Sequence, residues 1–121
     1  MPQYPCHYLR NARIFKGVDF EELPYFTKKI AKQGLASKLV HLKAELVSNP
    51  QKGDIIQGAG GARKIRMAAE GRGKSGGYRV LYYLRRSFDT ILFIDLFPKN
   101  EKENLTQDEK NKLAQFIRGM K

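Results

Sequence analysis

The stretch Gly60-Gly-Ala-Arg-Lys-Ile-Arg-Met-Ala-Ala-Glu-Gly-Arg-Gly-Lys-Ser-Gly-Gly-Tyr-Arg79 decides the fold. Its first half alternates: Ile65, Met67 and Ala69 fall on one strand face, Lys64, Arg66 and Ala68 on the other. The glycine-rich run Gly71 to Gly77 then turns the chain. Tyr78 to Leu84 is apolar on both faces apart from Arg79, the pattern of a central strand. The stretch is therefore a β-hairpin, and it sets Arg63, Lys64, Arg66, Arg72, Lys74 and Arg79 against a single acid, Glu70. Cations on a loop bind any polyanion loosely, whereas cations on paired strands form a pre-arranged anion site.

The same periodicities extend outward. Downstream, Ser87-Phe88-Asp89 makes a turn and Ile91 to Phe97 is a second nearly all-apolar strand, stopped by Pro98. Lys99 to Asn104 is a charged loop. Thr106-Gln-Asp-Glu109 forms a capping box that opens a last helix with Leu113, Phe116, Ile117 and Met120 as its apolar stripe. Upstream, a helical pattern opens at Asp19, with Leu23, Phe26 and Ile30 on one face and Pro24 in the first turn. Gln33-Gly34 ends it. Leu35, Leu39, Leu42, Leu46 and Val47 give a second helix that stops at Asn49-Pro50. Residues His7 to Phe15 are a first strand or an arm. The expected fold is α+β, a single domain over residues 1–121: an antiparallel β-meander packed on one face by two N-terminal helices, with the C-terminal helix docked beside it.

At 121 residues with a formal net charge of +11, the chain points to an anionic partner, nucleic acid before an anionic membrane. No apolar run is long enough to span a bilayer. The N-terminal residues lack the pattern of a signal peptide, and Cys6 is the only cysteine, so no internal disulfide forms; both fit the cytoplasm.

The glycine-rich turn contains two nucleotide-binding look-alikes. Gly71-Arg-Gly-Lys-Ser-Gly76 matches a dinucleotide fingerprint, and Gly73-Lys74-Ser75 resembles the end of a phosphate-binding loop. Both motifs need a helix to follow, and here a strand follows. The phosphate-binding loop also needs glycine where Ala68 stands. The glycines instead supply turn conformations or let the backbone approach RNA, with Arg72 and Lys74 on its phosphates.

Lys64 and Arg66 share a strand face, Arg79 joins them if the hairpin register permits, and Lys99, Asn100 and Lys102 follow the end of the next strand. Such a cluster suits phosphoryl chemistry on RNA, where the ribose 2′-hydroxyl is the nucleophile and no metal or cofactor is required. Arginine matches two phosphate oxygens but does not act as a base. Lysine accepts a proton only after losing its own, which neighbouring cations favour, so Lys64 is the first choice for base. Glu70 is a second choice and reads better as a salt-bridge partner. His7 and His41 read as structural or solvated, and Asp95 as a cap or a lysine partner.

Three motifs in order, Gly58-Ala-Gly-Gly-Ala-Arg-Lys-Ile-Arg66, Gly-Lys-Ser-Gly-Gly-Tyr-Arg-Val-Leu-Tyr-Tyr83 and Lys99-Asn-Glu-Lys-Glu-Asn-Leu105, resemble the RelE/ParE superfamily of bacterial toxins, the HigB branch most closely. The likeness runs from Ile14 to the C-terminus. It implies a ribosome-dependent mRNA endonuclease that enters the A site, cuts the codon there and leaves a 2′,3′-cyclic phosphate. It also implies a cognate antitoxin, HigA-like with a helix-turn-helix domain, besides ribosome and mRNA as partners, and no membrane.

Carried over by resemblance, Lys64 and Arg66 match two catalytic lysines of RelE, and Arg79 matches an arginine on the following strand. Asn100 stands where RelE has a second catalytic arginine, and Thr106 near its catalytic tyrosine. The expected site is therefore Lys64, Arg66, Arg79, Lys99 and Asn100 for catalysis, with Arg63, Arg72, Lys74 and Lys102 on RNA. Arginine at 66 removes one possible base, and asparagine at 100 removes a strong acid, so Lys64, Lys99 or Lys102 must substitute. Two other readings compete: a ParE-like gyrase inhibitor, which has no need of so many hairpin cations, and a plain basic RNA- or DNA-binding module.

Overall fold

The computed structural model describes residues 18–67, 77–85, 89–99, 102 and 104–120. Its elements are β1 (Asp19–Glu22), α1 (Pro24–Gln33), α2 (Ala36–Ser48), β2 (Asp54–Ile55), β3 (Arg63–Met67), β4 (Tyr78–Arg85), β5 (Thr90–Pro98) and α3 (Gln107–Gly119). The five strands form one sheet in the order β1-β5-β4-β3-β2. Strands β2 to β5 are the expected antiparallel meander, and β1 joins β5 in parallel, so the sheet is mixed. The predicted helical start at Asp19 is thus corrected: Asp19–Glu22 is a strand and α1 begins at Pro24. Proline restricts the residue before it to extended conformations, and Leu23 is extended at φ −72°, ψ 148°. The predicted arm or strand over His7 to Phe15 lies outside the described residues.

Alternation divides the core into two layers. On one face Ile65, Met67, Val80, Tyr82, Ile91, Phe93 and Leu96 pack with Phe26, Ile30, Leu39, Leu42 and Leu46 of α1 and α2. Phe93 is stacked between Phe20 and Phe26, at centroid distances of 5.7 and 5.1 Å. On the other face Leu81, Leu92 and Ile94 pack with Ile56, Ala59, Ala62, Leu113 and Ile117. The C-terminal helix therefore covers the opposite face of the sheet. Its buried stripe is Leu113, Ala114 and Ile117, while Phe116 is exposed.

A bulge in β5 keeps this division consistent. Leu81 pairs with Asp95 and Tyr82 with Phe93, leaving Ile94 as the extra residue. Strict alternation from Ile91 and Phe93 would bury Asp95 beneath the helices; the bulge puts Leu96 there instead. Asp95 Oδ1 then accepts from its neighbour Leu96 N at 2.8 Å and from Lys29 Nζ at 2.8 Å. Burial works against the Lys29 charge, but the bond and charge of Asp95 together with Tyr25 outweigh it, and the lysine pKa is raised.

Turns are closed by specific groups. Gly34 ends α1 in the left-handed region at φ 66°, with Leu35 N donating to Ile30 O at 3.0 Å. Gly60, at φ 74°, brings its loop so close to α3 that a Cβ would lie 2.9 Å from Ala114 Cα. The buried Tyr82 hydroxyl accepts from Gly53 N at 2.9 Å and donates to Pro50 O at 2.8 Å, tying β4 to the turn after α2. Both bonds of the predicted capping box form: Thr106 Oγ1 accepts from Glu109 N, and Glu109 Oε1 accepts from Thr106 N. The Glu109 carboxylate also receives Lys102 Nζ, and this bond, with that from Thr106 N, holds its pKa below the usual carboxylate value.

Replacing Tyr82 by Phe leaves the Gly53 amide and Pro50 carbonyl without that partner in a buried setting. We expect a loss of about 1–3 kcal/mol in denaturant unfolding, with the m-value unchanged. A lowered carboxylate pKa contributes stability that is present above the ordinary carboxylate range and is lost as pH falls through the folded value. The Tm difference between the wild type and Glu109→Gln should therefore be largest near neutral pH and shrink towards zero in acid; an acid-independent difference would contradict this.

Candidate active site on the sheet face beside the C-terminal helix

The β3–β4 register answers what the sequence left conditional. Arg66 pairs directly with Arg79, and Lys64 pairs with Leu81. Directly opposed residues of an antiparallel pair lie on one face, so Lys64, Arg66 and Arg79 share the face on which α3 sits. Opposed Cβ atoms in such a pair are about 4.5–5.5 Å apart, and like charges there are destabilising. Burying Ile65, Met67, Val80 and Tyr82 under α1 and α2 forces the three cations outward on the other side. Arg66 is exposed; Lys64 and Arg79 are half-buried, with Arg79 Nε shielded from solvent. Gly77 makes room for this arrangement: a Cβ there would lie 3.2 Å from Met67 O and 3.6 Å from Arg66 Cγ.

Lys64 Nζ donates to Asn104 Oδ1 at 3.3 Å, across 40 residues of sequence. Among the described residues, neither Lys64 nor Arg66 has a salt bridge. Lys64 also borders a cavity of about 250 Å³ together with Gln57, Leu81, Phe97, Asn104 and Lys110. Lys99 N donates to Gly77 O at 2.9 Å, one rung beyond the end of β5, which brings position 99 next to the arginine pair.

The other expected site residues divide. Arg63 lies one position from Lys64, on the opposite face, and its Nη1 donates to Gln51 O at 3.1 Å and Gly53 O at 2.8 Å. It fastens the turn before β2. Lys102 is paired with Glu109 and lies 5.5 Å from the Phe97 ring centroid. Arg72, Lys74 and Asn100 lie outside the described residues, as does Glu70. His41 is exposed on α2, where it borders a shallow pocket with Lys38, Glu45 and Arg66. Sequence patterns did not single out Asn104, Gln57 or Lys110. Their approach to Lys64 depends on how the segment after β5 folds back across the sheet, which no local period encodes.

The described helices include none long and apolar enough to cross a membrane. The fold has relatives of known structure. The free E. coli toxin RelE, in a form with two arginines changed to alanine, superimposes with a TM-score of 0.59 at 18% identity, over 79% of this chain and 96% of that one. A chain of the intact E. coli RelBE toxin–antitoxin complex superimposes with a TM-score of 0.50 at 17% identity, over 65% of this chain and 93% of that one. These likenesses establish the shared fold and do not distinguish the HigB branch. The family of the RelE toxin of the RelE/RelB toxin–antitoxin system matches residues 12–120, nearly the whole sequence. With its α+β sheet and flanking helices, the chain belongs to the RelE toxin family.

Proposed function

We propose that this toxin is a ribosome-dependent mRNA endonuclease acting at the A site, and that Lys64, Arg66 and Arg79 carry its chemistry. The directly opposed Arg66 and Arg79 side chains carry the reading. A like-charge pair at a cross-strand position costs stability and becomes favourable once an anion lies between the two forks. Guanidinium groups match the non-bridging oxygens of a phosphodiester and stabilise the charge that grows on them during in-line attack.

The reaction uses the RNA's own nucleophile. The 2′-oxygen attacks the adjacent phosphorus, the bond to the 5′-oxygen breaks, and the products are a 2′,3′-cyclic phosphate and a 5′-hydroxyl. One proton leaves the 2′-hydroxyl and one reaches the departing oxygen. Arginine remains protonated throughout, so proton transfer is assigned to Lys64, whose Nζ is oriented by Asn104. Lys99 extends the phosphate track past Arg79; by sequence alone, Arg72 and Lys74 are assigned to the RNA contact and Asn100 to the catalytic set. Arg63 and Lys102, engaged with Gln51, Gly53 and Glu109, serve the scaffold. In the cytoplasm a cognate antitoxin, HigA-like with a helix-turn-helix domain, neutralises the toxin.

The test is cleavage of ribosome-bound mRNA by purified protein, mapped by primer extension and end-group analysis. Wild type should cut in the A-site codon and leave a cyclic phosphate. Arg79→Ala and Arg66→Ala should each lower the single-turnover rate by about 10²–10³-fold. Lys64→Ala should lower it by about 10²–10⁴-fold. Lys64→Arg keeps the charge but holds a group that does not give up its proton, so it should remain as slow as Lys64→Ala. Recovery of the rate in Lys64→Arg would reassign Lys64 to charge stabilisation. Intact mRNA with gyrase-linked DNA breaks would replace this reading with gyrase inhibition.

A further inference from the structure

The cavity of about 250 Å³ beside Lys64 has the chemistry of a subsite for one RNA base. Its lining is mixed: Leu81 and Phe97 are apolar, while Gln57, Asn104, Lys64 and Lys110 supply polar groups. Cavities for drug-sized ligands run to about 300–1,000 Å³, so this volume suits one planar heterocycle. Unstacked RNA bases are held in this way, by an aromatic or apolar surface below and amide groups on the edge. The second core already closes through Leu92, Ile94, Leu113 and Ile117.

The Lys64 contact determines how Asn104 faces this space. Lysine has donors only, so the amide turns its oxygen to Nζ, at 3.3 Å. The NH2 end of Asn104 is left to donate towards a ligand. Gln57 is exposed, and its amide both donates and accepts. Lys110 lines the cavity with Lys64, so a nucleotide whose base enters it places its phosphate within reach of one of the two ammonium groups. We infer that this cavity seats the base of a nucleotide next to the cleaved bond, and that Asn104 and Gln57 read its edge and set sequence preference. This inference rests on the endonuclease reading above. It extends that reading from phosphate contacts, which carry no sequence information, to a base contact, which does.

The intact protein, labelled with 15N, would be titrated with the four nucleoside 3′-monophosphates and with ribose 5-phosphate as the baseless control. The side-chain amide resonances of Asn104 and Gln57 should shift with nucleotides, more strongly for one base than the others, and stay in place with ribose 5-phosphate. Gln57→Ala, at an exposed position that leaves the core intact, should weaken the preferred nucleotide about 3- to 10-fold and leave ribose 5-phosphate binding unchanged. In ribosome assays the same variant should redistribute cut sites among codons while Lys64-dependent cleavage persists. Equal shifts with ribose 5-phosphate, or an unaltered codon profile in both Gln57→Ala and Asn104→Ala, would overturn the inference. Absence of cleavage by wild type would instead count against the endonuclease reading, and the nucleotide titration would still decide the cavity.

Discussion

The pairing of β3 with β4 is the constraint on which the rest depends. Side chains on a strand alternate with a period of two, so one residue of slip exchanges the buried and exposed sets. Ile65, Met67, Val80 and Tyr82 are all needed beneath α1 and α2. A one-residue slip would expose half of them; the register formed puts Ile65 opposite Val80 and, with it, Arg66 opposite Arg79. The site is thus a by-product of the core: stability of the helix-side layer holds in place a cation pair that would not choose to be adjacent. Each fully buried apolar side chain contributes about 1.5–3 kcal/mol, against about 0.2–1 kcal/mol for a cross-strand pair of either sign. The core outweighs the repulsion.

Much of this was legible in the sequence, for physical reasons that differ by element. The hairpin, the two central strands and the capping box follow from local patterns: alternation, all-apolar runs and a Thr-x-x-Glu spacing. The lysine partner of Asp95 was equally foreseeable, because a lone acid in an apolar strand needs a cation. The strand Asp19–Glu22 was not. Four residues reading Asp-Phe-Glu-Glu carry too little alternation to mark a strand, and their conformation is set by the neighbouring edge of β5, 71 residues away. The bulge at Ile94 was hidden for a similar reason. Within a run that is apolar on both faces, the slip shows only as the position of Asp95 relative to its helix-side neighbours.

The side of the sheet taken by α3 was also beyond local reading. Its stripe is amphipathic and would fit either face. The choice follows from α1 and α2 already covering one face, and from a close approach between Gly60 and Ala114 on the other. Gly58 to Ala62, which resembles family sequence, is therefore a packing element for α3 as much as a lead into β3. Closing the second core in this way also carries the segment from Asn104 to Lys110 across the sheet to Lys64. The candidate site is completed by Asn104, in the segment that leads into α3, and by Lys110 in its first turn.

Two lysines near that helix show why a count of cations says little about chemistry. Lys102 meets the Glu109 carboxylate, and Lys64 meets the Asn104 amide oxygen. A carboxylate orients the ammonium and cancels its field; an amide carbonyl orients it and leaves the charge available to an incoming phosphate. Glu109 is already committed to the helix cap, so pairing with Lys102 adds order where order is needed. Asn104 accepts from Lys64 without supplying a counter-charge, and its NH2 group remains available on the other side. The net charge of +11 draws the protein to an anion, but the acceptor beside each lysine decides which one meets the substrate as a full charge.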